Sequence, residues 1–394
     1  MKYDFDRLTD RRGTYCTQWD YTADRFGSDD VLPFSISDMD FPLPEDAVKY
    51  LQEQLTDGIY GYTRWRNELL LGAIVDWYSR RFNYEVDSKT VMYSPTVIYS
   101  LSEIMRMKTK QNPSVFMFTP SYDAFYKVVE ENKCQLFTSE LIRENDQYTI
   151  NKAEFEAEVS KCSVIVLCSP HNPIGKFWTK EELEYIVSVC KKHNVYIISD
   201  EIHMDISFGA SHYPLLAVTK EYDYSYNGCI ITSATKAFNF PGLLFSYAII
   251  ENEQDRTEFE LCLKNKNGLS SCTILGMKAT AYVYNNLEQW LDQLNQYVYQ
   301  NYLYVTKFIQ EQKLDMAVTK QDGTYLLWID SSNYDIDQLL DIMYNQTKVG
   351  IMSGEVYGVK GYLRINIGCQ RSKLEEGMKR LAQAVAIYKE QNEK

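Results

Sequence analysis

Three polar residues stand where an α/β fold places its chemistry, just past the ends of expected strands. Lys236 lies in SATKAFNFPG (Ser233–Gly242), Asp200 opens DEIH (Asp200–His203), and Asn172 lies in SPHNPIGK (Ser169–Lys176). Each segment follows a short apolar run: Cys229–Thr232, Val195–Ser199 and Ser163–Cys168 respectively. Such runs, bounded by polar or Pro/Gly residues, read as buried strands. In open α/β sheets, ligands bind beyond the carboxyl ends of strands. The three residues bring an amine, a carboxylate and an amide toward one edge. A free lysine, with a pKa near ~10.4, is a poor nucleophile at neutral pH. Condensed with the aldehyde of a pyridine cofactor, it becomes part of an electron sink for a substrate carbanion.

That chemistry has stated needs. A carboxylate must keep the pyridine nitrogen protonated, and Asp200 fits. A donor must meet the ring hydroxyl, and Asn172 fits. Hydroxyls and amides must surround a phosphate, and Ser233 and Thr235 flank the lysine. Taken singly, a lysine after SAT reads as solvated, an aspartate after a strand as a helix cap, and Asn-Pro as a turn. Their occurrence together, in this order, points to pyridoxal phosphate.

The elements that must position these residues alternate. Between the first two strands, Thr179–His193 opens with a threonine and a glutamate three residues later, a capping box ahead of apolar residues at helical spacing. Strand, helix, strand implies a parallel sheet. Tyr247–Ile250 reads as a further strand. The last third differs: a long helix from about Ile274 to Glu311, a strand at Thr324–Asp330, a helix, GYLRINIG (Gly361–Gly368) and a closing helix from about Ser372. The first ~45 residues look irregular. The expected division is a large sheet domain over 46–284 and a smaller α+β domain made of 1–45 with 285–394.

SPHNPIGK, SDEIH, SATKAFNFPG and YLRINIG, in that order, resemble the fold-type I pyridoxal-phosphate enzymes, the class I/II aminotransferase superfamily. SDMDFPLP (Ser37–Pro44), YGYTRW (Tyr60–Trp65), YSPTVIYSLSE (Tyr93–Glu103), TPSYDAFYK (Thr119–Lys127), SDEIHMD (Ser199–Asp205), GLSS (Gly268–Ser271) and GCQRSKLEEG (Gly368–Gly377) narrow the likeness to the MalY/PatB group of cystathionine β-lyases. The resemblance spans essentially the whole chain. It implies a large, mainly parallel sheet domain with a smaller α+β domain. It also implies Lys236 as cofactor lysine and proton shuttle, Asp200 on the pyridinium nitrogen, Tyr122 stacked on the ring, and Asn172 and His203 on the hydroxyl side. Thr96, Val97 and Ile98, opening a helix, would meet the phosphate together with Ser233 and Thr235. Tyr62 would reach that phosphate across a homodimer interface. Arg364 would clamp the substrate carboxylate bidentately, with Asp38 and Met39 also at the substrate.

Two departures from the wider superfamily matter. Many aminotransferases carry arginine eight residues past the lysine; here stands Leu244. Many carry tyrosine three residues past the aspartate; here stands His203. Both resemble the β-lyase group. Thr235 stands where that group often has serine, and it keeps the hydroxyl. The implied reaction is elimination from cystathionine or related S-substituted cysteines to a thiol, pyruvate and ammonia. Two alternatives stand beside it: an amino-acid aminotransferase, and an added regulatory role in binding a transcription factor.

Composition bounds the rest. With 394 residues, 45% of them hydrophobic, the chain can bury a large core. Its net charge of −13, from 54 acidic and 41 basic residues, argues against nucleic acid or anionic membrane as partner. Nine cysteines without a CxxC pair read as reduced thiols in a cytoplasmic protein. The charged start lacks a signal peptide's apolar segment, and no apolar run approaches a membrane span. The four histidines have no metal-ligand spacing, so no metal is expected.

Overall fold

The computed structural model describes residues 3–56, 58–144 and 147–392. Its centre is a seven-stranded sheet. The strands are β1 (Val91–Ser94), β2 (Ser114–Thr119), β3 (Gln135–Glu140), β4 (Val164–Cys168), β5 (Tyr196–Asp200), β6 (Gly228–Thr232) and β7 (Ser246–Ile250), in spatial order β1-β7-β6-β5-β4-β2-β3. All are mutually parallel except β7, which runs antiparallel to both neighbours. The four expected strands are present with ends shifted by a residue, and β5 runs on to include Asp200. Every residue of β4, β5, β6 and β7 is buried. A sheet covered on both faces selects continuous apolar runs rather than alternation, hence VIVLC and GCIIT.

Two helices follow from local sequence. Lys180–His193 has the expected box: Thr179 Oγ1 accepts from Glu182 N at 3.2 Å, and Glu182 Oε2 accepts from Thr179 N at 3.0 Å. Val97–Lys108, here α1, is capped by Thr96, whose Oγ1 accepts from Tyr99 N at 3.1 Å. The expected long helix of the last third is two helices, Ile274–Asn286 and Glu288–Glu311. They part at Leu287, which leaves helical backbone (φ −115°, ψ 20°) while its side chain stays buried. Two asparagines before it favour the helix weakly. The break lets both helices turn apolar faces to the core.

A second sheet holds β8 (Ala317–Val318), β9 (Leu326–Asp330), β10 (Met352–Ser353) and β11 (Tyr362–Asn366), in order β8-β9-β11-β10, antiparallel throughout. The N-terminal stretch, expected to be irregular, carries a five-residue helix, Thr22–Phe26, and a two-residue strand, Leu32–Pro33, that pairs with Val349–Gly350. It then runs beside β11. Asn366 N donates to Phe34 O at 2.9 Å, and Asp40 N donates to Gly368 O at 2.8 Å. Among the described residues no helix is long and apolar enough to cross a membrane.

The Asn366 side chain ties this stretch down. Its Nδ2 donates to Ile36 O at 2.6 Å and Asp38 O at 2.5 Å, and its Oδ1 accepts from Gly368 N at 2.8 Å. Each backbone group would otherwise be left without a partner. Asn366→Ala should therefore destabilise the chain by about 2–4 kcal/mol in chemical denaturation. A loss below about 0.5 kcal/mol would mean that water replaces the amide there.

Candidate active site

Strand pairing aligns the ends that carry the chemistry. Cys168 of β4 lies opposite Asp200 of β5, and Asp200 lies opposite Ile231 of β6. Beyond these ends is a cavity of about 170 Å³. Ten expected site residues line it: Thr96, Val97, Ile98, Tyr122, Asn172, Asp200, His203, Ser233, Thr235 and Lys236.

Lys236 Nζ donates to the Ser37 carbonyl at 2.5 Å, and Tyr325 Oη donates to the same oxygen at 3.0 Å. Burial brings the lysine pKa down to about 8; Arg364 acts in the same direction, while Asp38 and Asp200 oppose. Burial also pushes Asp200 up to about 7, against a hydrogen bond from Ile202 N at 3.1 Å and the nearby Lys236. The amine and the carboxyl group are each driven toward neutrality. Burial, with the positive charges of Lys236 and Arg364, holds His203 down at about 3, so its imidazole is neutral. Its Nδ1 is buried without a partner.

The end of the cavity beneath α1 suits an anion. Val97 and Ile98 sit in the first turn, where backbone N–H groups have no intrahelical acceptor. Thr96 accepts from Tyr99 N through its hydroxyl oxygen, which leaves the hydroxyl proton to donate. Ser233 is engaged otherwise: its Oγ donates to Phe245 O at 2.5 Å and lies 2.8 Å from Thr235 Oγ1. With the Ser233 proton on Phe245 O, Thr235 is the donor in that contact, and its hydroxyl must turn to reach a phosphate. Leu244 is on the wall, half exposed, where an arginine would otherwise serve.

Arg364 is buried outside the cavity lining. Its Nη1 donates to Asn172 Oδ1 at 3.3 Å and its Nη2 to Ser35 O at 2.9 Å, its guanidinium lies 4.4 Å from the Tyr357 ring centre, and its Nε has no partner. That free donor, beside an amide on the cavity wall, suits a carboxylate. The remaining three expected residues are not brought into the cavity. Tyr62 is fully exposed. Met39 is fully buried, where a Cβ on Gly368 would come within 2.7 Å of its Cγ, so its side chain has a packing place. Asp38 is ion-paired with Arg11, Nη2 to Oδ2 at 2.6 Å.

Several contributors were not among the expected site residues. Ser37 acts through its carbonyl, which any residue supplies. Asn239 Oδ1 accepts from Met39 N at 2.9 Å, and its Nδ2 donates to Met39 O and Phe41 O, both at 2.7 Å, which pins the N-terminal stretch over the lysine. Cys168, Ile202, Pro241, Phe245 and Ser246 also line the cavity. Of these contributors, only Asn239 could have been suspected, as an amide three residues past the lysine.

The residue set fits a phosphorylated pyridine aldehyde. It offers an amine of lowered pKa, a buried carboxyl group with no cation bonded to it, an anion-binding helix terminus and orphaned buried nitrogens on His203 and Arg364. No group of three or more potential metal ligands occurs among the described residues.

Asp200 generates a pH prediction. Burial raises its pKa from an ordinary 3.8 to about 7, so the folded chain holds this proton more tightly than the unfolded one. Stability from this group is present in acid and is lost as pH rises through that window. Cofactor-free Asp200→Asn should therefore melt above the wild type at pH 7 and higher, and should match it in acid, by differential scanning calorimetry. Lower melting at pH 7 and above, with a match in acid, would show that the ionised carboxylate supports the fold.

Comparison with known proteins agrees with this architecture. The family model Aminotransferase class I and II matches residues 29–381. Protein MalY of Escherichia coli (strain K12) is 40% identical over 390 residues, covering 97% of this chain and 99% of that one. Cystathionine beta-lyase PatB of Bacillus subtilis (strain 168) is 31% identical, covering 97% and 100%. Among solved structures, the PLP-bound C-S lyase from Staphylococcus hominis superposes with a TM-score of 0.91 at 27% identity, over 97% and 98% of the two chains. Sequence likeness at this level along nearly the full length, on the same fold, makes this chain a member of the class I and II aminotransferase family.

Proposed function

We propose that this chain is a pyridoxal-phosphate-dependent carbon–sulfur β-lyase that cleaves L-cystathionine or related S-substituted cysteines to a thiol, pyruvate and ammonia. The observation that carries this is one cavity containing an amine of lowered pKa, a buried carboxyl group and an open helix N-terminus. The names of PatB and of the Staphylococcus hominis lyase support the reaction class. So do His203 and Leu244, at positions where many aminotransferases carry tyrosine and arginine.

Bound pyridoxal phosphate supplies a protonated ring that draws electron density from the substrate Cα. Lys236 would hold its aldehyde carbon, Asp200 the ring nitrogen, Asn172 and His203 the ring hydroxyl, and Tyr122 one ring face. Thr96, Val97, Ile98 and Thr235 would hold the phosphate, with Ser233 orienting Thr235. A cation next to Asp200 offsets the burial cost of its charge and fixes it as carboxylate. Arg364 would take the substrate carboxylate through its unpartnered Nε, with Nη1 kept on Asn172. Lys236 Nζ, with a pKa near neutrality, takes the Cα proton as general base. The Ser37 carbonyl then accepts from the resulting ammonium. A β-thiolate leaves more readily than an alkoxide, which favours sulfur substrates.

The proposal includes a homodimer. Tyr62 is fully exposed, with Ile59 and Tyr60 also exposed beside it, and these apolar side chains suit cover by a second copy. Tyr62 would then serve the neighbouring phosphate site. Tyr62→Ala should weaken pyridoxal-phosphate affinity, read by absorbance titration, in a chain of unchanged fold. Unchanged affinity would remove Tyr62 from the site.

Loaded with cofactor and given L-cystathionine without a keto acid, the protein should release thiol and pyruvate in equal amounts. Amino-group transfer to an added keto acid, without thiol release, would identify an aminotransferase instead. Lys236→Ala should lower the elimination rate by at least about a hundredfold while the fold is kept.

A further inference from the structure

The lysine amine has its acceptor on a loop that also carries a carboxylate. Ser37 O takes the hydrogen bond from Lys236 Nζ at 2.5 Å, and the next residue is Asp38. Asp38 is not bonded to that amine. Arg11 holds it in a two-pronged contact, Nη2 to Oδ2 at 2.6 Å and Nη1 to Oδ1 at 3.3 Å. The same Nη1 meets Met39 O and Asp40 Oδ1, both at 2.9 Å. Asp40 Oδ1 also accepts from Trp19 Nε1 at 2.8 Å, and its Oδ2 from Lys373 Nζ at 2.5 Å. The side chains of Arg11 and Asp38 are only 17% and 14% exposed, so solvent screens the pair weakly.

We propose that Arg11 is a positioning residue that holds the Asp38 carboxylate away from Lys236, so that the lysine gives up its proton more readily. This rests on the reading of Lys236 as the cofactor lysine. A carboxylate free to swing onto a buried amine would hold it as ammonium, which is neither nucleophile nor base. A guanidinium is always charged, and its fork matches both carboxylate oxygens. Lysine could not make the same paired contact.

The charged groups that act on Lys236 are Asp38, Arg364 and Asp200; His203, also near, is neutral. Asp38 faces Arg11, Lys236 and the Tyr325 phenol. Of the groups acting on the lysine, Asp38 is the strongest that favours its charged form. The loop is independently tied by the uncharged amides of Asn239 and Asn366. Loss of Arg11 therefore frees the carboxylate without freeing the backbone.

The test is the titration of Lys236 itself, followed by trace acetylation of the full-length chain freed of cofactor and mapping of the Lys236 peptide. Arg11→Gln should raise the midpoint by about one pH unit and slow acetylation near neutrality about tenfold. On an Asp38→Asn background the same change should leave the midpoint where Asp38→Asn alone puts it, below the wild-type value. An unchanged midpoint in R11Q, or an equal rise with and without Asp38, would overturn the proposal. Where R11Q does not fold, D38N decides: its midpoint should fall, and an unmoved midpoint removes Asp38 from the device. A wild-type chain that failed to cleave cystathionine would refute the lyase reading and leave this titration intact.

Discussion

An amine and a carboxyl group share one buried cavity, and everything around them answers to that fact. In water each would be charged at neutral pH. Here burial moves Lys236 down to about 8 and Asp200 up to about 7, so neither charge is firmly held. That is a costly arrangement for a fold to maintain, because polar groups lose hydration without gaining an ideal partner. The strands that deliver them are buried on both faces and supply the apolar contacts that offset the cost. The site is therefore built for a ligand that is cationic toward Asp200 and electrophilic toward Lys236.

Loops that approach such a site cannot satisfy their backbone groups through regular secondary structure. In this chain asparagine side chains do that work. Asn239 and Asn366 hold five backbone groups of the 36–41 stretch between them, and Asn366 also takes Gly368 N. Asn301 bonds the carbonyls of Ile367 and Cys369 at 2.9 and 2.8 Å. An amide both donates and accepts and carries no charge. It can tie a loop beside a titrating lysine without disturbing the titration, which a carboxylate or a lysine could not do.

The anion end of the cavity follows the same economy of charge. Leu244 removes one fixed cation from the wall, and neutral donors remain: the first turn of α1, Thr96 and Thr235. A helix terminus presents partial charge with fixed geometry and needs no counter-ion when empty. The formal charges near Lys236 are thereby few, and each has an identifiable partner or counterweight. Asp38 has Arg11, and Arg364 has an amide, a carbonyl and an aromatic face.

Residue order marked Asn172, Asp200 and Lys236 as candidates for chemistry and set them at the ends of strands. A buried parallel strand must be a short apolar run, and a ligand site must follow its carboxyl end, so Asn172, Asp200 and Lys236 were legible together. The capping box at Thr179 was legible for the same local reason. The break at Leu287 was not, because continuous helical spacing crosses it and only packing on the core bends the chain there. Nor were the Ser37 carbonyl, the Asn239 and Asn366 ties, or the pairing of Arg11 with Asp38. A backbone carbonyl has no sequence signature, and an ion pair 27 residues apart depends on how an irregular segment lies across a sheet. Local sequence determines strands, caps and the types of reactive groups; the protonation of those groups is decided by burial and by charges that only the folded chain brings near.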